Sequence, residues 1–117
     1  MQISEINFDG PLPIDSYGPG FFRLEGHVHQ GPLVLMPGVL RPWDKPMDFG
    51  IFIENASLFD VLFFGTGKEI APLPEDIATQ LEQAGIGVEI MATPTACRTY
   101  NMLLAEGRRI AAALIPV

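Results

Sequence analysis

The sequence holds a single cysteine, Cys97. No intrachain disulfide can form and no cysteine-based zinc site can be closed, which fits a reducing compartment. Charge is also scarce: Asp, Glu, Lys and Arg make up 18% of the chain. Cations are scarcer still, seven Lys and Arg against fourteen Asp and Glu, for a net charge of −7. An acidic chain repels phosphate backbones and anionic headgroups, which excludes nucleic acid and anionic membrane surfaces as general partners. Long hydrophobic runs are missing as well. The longest uncharged stretch, 26–40, is interrupted by His27, Gln30 and several Gly and Pro, so membrane insertion is not expected. The start of the chain has neither a basic n-region nor an apolar h-region, so it reads as neither a signal peptide nor a transit peptide. The expected location is the cytoplasm.

What is present is apolar material, 48% of residues and eight of them Phe, in a chain of 117. That is enough for one core, and the length predicts a single domain over 1–117. Twelve Gly and eleven Pro predict short elements joined by tight turns.

The first third reads as β. Alternation over Ile3–Phe8 predicts a short strand ended by Asp9-Gly10-Pro11, and Tyr17-Gly18-Pro19-Gly20 predicts a turn before a strand at Phe21–Glu25. Gly26–Gly31 is expected to be a hairpin connection, followed by a strand at Leu33–Met36. Pro42, Pro46 and Gly50 break any long element over 38–58, and Ile51-Phe52-Ile53 fits a strand or one helical turn. Trp43 is read as a core plug or a patch residue.

The second half alternates. Val61–Phe64 is a continuous apolar run suited to a strand covered on both faces. Pro74 at the first helical position, Glu75 and Asp76 in the first turn, and Ile77, Leu81 and Ala84 at helical spacing predict a helix stopped by Gly85. Val88–Met91 predicts a strand. Thr93 is expected to be the N-cap of a helix with Pro94 at its first position, running to about Glu106, and Arg109–Ile115 predicts a last strand. The β-α-β-α-β order predicts an α/β fold with a mixed central sheet and antiparallel N-terminal hairpins.

Gly65-Thr66-Gly67-Lys68 follows a buried strand, where α/β proteins place phosphate loops, but Leu62, Glu69 and Ile70 break both the P-loop and the dinucleotide spacing. It reads either as a tight turn or as an anion-binding turn. The N-terminus of the Thr93 helix would face the same sheet edge, and helix N-termini attract anions. Gly65, Thr66, Gly67, Thr93, Thr95, Cys97, Arg98 and Asn101 therefore form a candidate ligand or anion site. Cys97 lies in the first turn but has no neighbouring His to act as base, so it is expected to be structural. Helical spacing puts Arg98, Met102 and Ala105 on the outer face, a candidate partner surface. His27 and His29 share one strand face but lack a further ligand, so no metal is assigned. No carboxylate pair stands out as acid and base.

The run Thr93-Pro94-Thr95-Ala96-Cys97-Arg98-Thr99-Tyr100-Asn101-Met102-Leu103-Leu104-Ala105-Glu106-Gly107-Arg108 resembles the C-terminal signature of a small α/β family of poorly defined function, the Mth-domain-like proteins. That family includes the mitochondrial NADH dehydrogenase (complex I) assembly factor 3 and the adipogenesis-associated Mth-domain protein. Asp15-Ser16-Tyr17-Gly18-Pro19-Gly20, Gly65-Thr66-Gly67 and Ala111-Ala112-Ala113-Leu114 resemble its other marks, and the chain looks like a bacterial-type member. The resemblance implies a three-layer β + α/β/α domain. It brings no reaction, cofactor or catalytic residue, and none is assigned here. Two functions are expected from all this. One is a non-catalytic interaction or assembly-factor-like protein with a protein partner. The other is a small-molecule or anion-binding protein, or an enzyme, using the Gly65–Gly67 turn and the N-terminus of the Thr93 helix.

Overall fold

The computed structural model describes the backbone of residues 6–7 and all of residues 12–117. Its frame is a six-stranded mixed sheet ordered β1 (Ile6–Asn7), β6 (Val39–Pro42), β5 (Leu33–Met36), β9 (Ile110–Ile115), β7 (Val61–Thr66), β8 (Val88–Met91). The pairs from β1 to β9 are antiparallel, and β9–β7 and β7–β8 are parallel. A second sheet of three antiparallel strands is ordered β2 (Ser16–Gly18), β3 (Phe21–Leu24), β4 (His27–Gln30). The rest of the expected first strand, and Asp9-Gly10-Pro11, lie outside the described residues.

Parallel strands need crossovers, and β7, β8 and β9 are joined by α2 (Glu75–Gln83) and α3 (Thr93–Ala105). The two helices pack on opposite faces. Ala96, Cys97 and Tyr100 of α3, with Phe22 and Leu24 of β3, bury one face against Phe63, Ala112 and Leu114. Leu81 of α2 and Phe52 of α1 (Gly50–Glu54) bury the other against Leu62, Phe64, Ala111 and Ala113. The α/β fold and its three layers are thus as expected. Ala111, Ala112 and Ala113 are fully buried in the central strand. Their small side chains let both outer layers approach closely.

Three local expectations need correction. Gly26–Gly31 is not a connection, because β4 occupies most of it and pairs residue by residue with β3. The turn is Glu25-Gly26, with φ of 51° and 77°, the two-residue geometry whose twist suits a hairpin. Pro74 precedes α2 as its N-cap instead of opening it. Tyr17-Gly18 belongs to β2, so the turn is confined to Pro19-Gly20.

The stretch 38–58 holds β6, α1 and a short 3-10 turn at Ala56–Leu58. Trp43 organises it from the core. Its ring meets Phe49 edge-on at 5.1 Å and Phe64 at 6.2 Å, and its Nε1 donates to the Asp48 carbonyl at 2.9 Å. A buried indole with its one donor satisfied can replace regular structure as the organising contact.

Candidate functional site

The carboxyl ends of β7 and β8 converge on the start of α3. Gly65 is buried there, and a Cβ on it would lie 2.8 Å from Thr93 Oγ1 and 3.0 Å from Leu114 Cδ2. No side chain fits. Gly67 has φ of 104°, a backbone region glycine adopts readily.

Thr93 is fully buried between these strands. Its hydroxyl donates to the Ile115 carbonyl at 2.6 Å and accepts from the Gly67 N–H at 2.8 Å, while its own N–H donates to the Gly67 carbonyl at 2.8 Å. One side chain thereby joins the end of β7, the end of β9 and the start of α3. The expected N-cap role is corrected: Thr93 is already helical, Ala92 is the cap residue, and the Ala96 N–H donates to the Ala92 carbonyl. A hydroxyl held between two strand ends finds its partners there and not in its own helix.

The same bonds decide what the edge can offer a ligand. An anion site at this edge needs free N–H groups. Gly67 and Thr93 have instead spent theirs on protein oxygens, Pro94 has none, and Ala96 donates to Ala92. Thr66 is similarly occupied, its hydroxyl donating to the Glu69 carbonyl at 2.7 Å and accepting from the Ala71 N–H at 3.0 Å. Its work is to fold the loop that leaves β7.

The helical members of the candidate site point in different directions. Cys97 faces the core at 3% exposure, and burial pushes its thiol up to about 12, against a weaker opposing pull from Arg98. Thr95 and Arg98 are exposed, and Arg98 Nη2 donates to Thr95 Oγ1 at 3.3 Å. Asn101 reaches away from the sheet edge. Its Oδ1 accepts from the Ile14 N–H and its Nδ2 donates to the Ile14 carbonyl, both at 2.8 Å. Beside it the buried Tyr100 hydroxyl donates to the Leu12 carbonyl at 3.2 Å, and burial raises the Tyr100 pKa. Together they clasp the segment leading into β2. The partners of Asn101 and Tyr100 lie 87 and 88 positions away, so neither bond has a local signal in the sequence.

The outer face of α3 carries the remaining candidates. Met102 is 57% exposed, and Arg98 and Ala105 are exposed one turn to either side. On β4, His27 is exposed, whereas His29 Nε2 is buried and has no hydrogen-bond partner among the described residues. Burial first, and the neighbouring His27 second, lower the His29 pKa. Among the described residues no helix is long and apolar enough to cross a membrane.

Comparison with known proteins places this geometry in a family. An uncharacterized protein of Rhodobacter capsulatus is 45% identical over all of this chain and 94% of its own length. The NADH dehydrogenase [ubiquinone] 1 alpha subcomplex assembly factor 3 of Danio rerio is 37% identical over 88% of this chain. The match spans 63% of that factor's length. The crystal structure of an outer membrane protein from Bartonella henselae superposes with a TM-score of 0.85 at 36% identity, covering 92% of this chain and 97% of that one. The family model described as "Protein of unknown function (DUF498/DUF598)" matches residues 14–115. With that match, and with the assembly factor among its relatives, this chain belongs to the DUF498/DUF598 family, the one its α3 signature resembles.

Proposed function

We propose that this protein works by binding another protein, in the manner of an assembly factor, and performs no chemistry of its own. The partner surface in this reading is the outer face of α3, formed by Arg98, Met102 and Ala105. The observation that carries it is Met102, a large apolar side chain 57% exposed in the last turn of α3, one turn from an exposed cation. Such a pairing suits a protein surface with an apolar centre and a polar rim. The similarity to the zebrafish assembly factor supports the same reading at the level of the family. The paired donors around Thr93 weigh against the alternative of an anion or small-molecule site at Gly65–Gly67.

The test is affinity capture with the whole chain and with Met102→Glu and Arg98→Glu variants. A specific partner should be captured by the parent chain and lost from both variants, with melting temperatures unchanged. Retention by both variants would remove α3 as the partner surface.

A further inference from the structure

The sheet ends on two edge strands, β1 and β8, five strands apart. Among the described residues β8 pairs only with β7, and the Leu62 N–H donates to the Gly87 carbonyl at 3.0 Å. Backbone groups alternate sides along a strand, so Glu89 and Met91 also aim theirs at β7. Val88 and Ile90 then aim their N–H and C=O groups outward. Among the described residues no other element bonds to them.

An apolar groove runs beside that edge on the α2 face. It consists of two open depressions of about 410 and 360 Å³ that share Ile90. Leu73 and Val88 line one and Pro72 and Ile70 the other. Ile70 is 66% exposed, and Ile90 is only half-buried. The surroundings are mainly acidic. Between Lys68 and Arg98 the chain contains Glu69, Glu75, Asp76, Glu82 and Glu89 and no Lys or Arg. Glu82 lines the groove, and Glu89 is exposed on β8 itself.

We infer that the β8 edge binds an extended, basic segment of a partner protein as an added strand. The outward groups of Val88 and Ile90 would pair with its backbone. Its alternate side chains would enter the groove against Ile70 and Ile90, and lysine or arginine residues between them would meet Glu89 on the opposite face of the sheet. A second copy of this chain fits poorly, because pairing β8 with itself brings two acidic edges together in molecules that each carry −7. Edge strands exposed in this way are usually blocked by Pro, Lys or a bulge, and β8 has none of these. The inference rests on the partner-binding reading above but names a separate surface.

The experiment titrates the whole, isotope-labelled chain with a synthetic peptide of alternating lysine and valine, and with its glutamate–valine counterpart. Amide shifts should fall on residues 87–91 and on Ile70, Ala71 and Leu73, the Val88 and Ile90 amides should exchange more slowly, and the acidic peptide should bind at least about tenfold more weakly. Val88→Pro removes an outward donor without touching the β7 ladder and should abolish binding. Should that variant unfold, Glu89→Lys, a surface change, should weaken the basic peptide about fivefold at low salt. Shifts elsewhere, equal binding of both peptides, or no effect of Glu89→Lys would overturn the proposal. So would a concentration-dependent dimer that protects the same amides, which would assign the edge to a second copy. Loss of peptide binding with α3-dependent capture intact would sink this inference alone, and the reverse result would sink the α3 reading alone.

Discussion

The Thr93 hydroxyl accepts the Gly67 N–H at 2.8 Å and donates to the Ile115 carbonyl. Two residues of the candidate anion site, Thr93 and Gly67, are thus bonded to each other. Removing the hydroxyl strands a buried donor and a buried acceptor. Thr93→Ala should destabilise the fold by about 2–4 kcal/mol, and Thr93→Ser, which keeps the bonds and loses a methyl, by about 1 kcal/mol. Urea unfolding of the two variants checks this. Equal stabilities would mean that the hydroxyl is idle.

Cys97 should be inert in the folded protein. With its thiol pushed up to about 12 by burial, almost no thiolate exists at pH 8. Alkylation by iodoacetamide should follow global unfolding and speed up only in denaturant. A fast reaction in native buffer would contradict the packing described here.

Asn101 should govern the order of the segment that enters β2. Asn101→Ala deletes both bonds to Ile14 and should cost about 1–3 kcal/mol. Its local mark is faster hydrogen exchange at the Ile14 amide, with α2 and β8 unaffected. Unchanged exchange at Ile14 would show that the clasp is not what holds this segment.

The β-α-β-α-β half of the fold is legible from the sequence because each element announces itself locally. Val61–Phe64 is an unbroken apolar run, and Pro74, Gly85 and Pro94 punctuate the helices within two residues of where they begin and end. The stretch 38–58 is illegible for the opposite reason: its order comes from Trp43 meeting Phe49, Phe52 and Phe64, contacts that no local period encodes. The candidate site shows the same divide. Gly65 and Gly67 stand out as glycines that a turn or a close approach requires, and Thr93 as a cap-like residue beside a proline. Which partners the Thr93 hydroxyl takes depends on β9 arriving alongside, 22 residues later, and Asn101 looks like a ligand until Ile14 is brought to it by the fold.

His29 should make stability depend on pH. Its folded pKa lies below the ordinary 6.5, chiefly through burial, so the unfolded chain takes up the proton first. The contribution is fully present above about pH 6.5 and is lost as pH falls toward the folded value. The melting temperature should therefore drop between pH 7 and pH 5.5, and less so in His29→Gln. A parallel drop in both proteins would assign the effect to other groups.

The central claim, that this chain acts through a protein docked on the outer face of α3, is tested most directly by site-specific photocrosslinking. A benzophenone side chain placed at Met102 is compared with one at Thr79, an exposed position on α2 across the sheet. The account predicts one discrete adduct from position 102, lost when Arg98→Glu is added, and none from position 79. The same adducts from both positions, or none from 102, would contradict it.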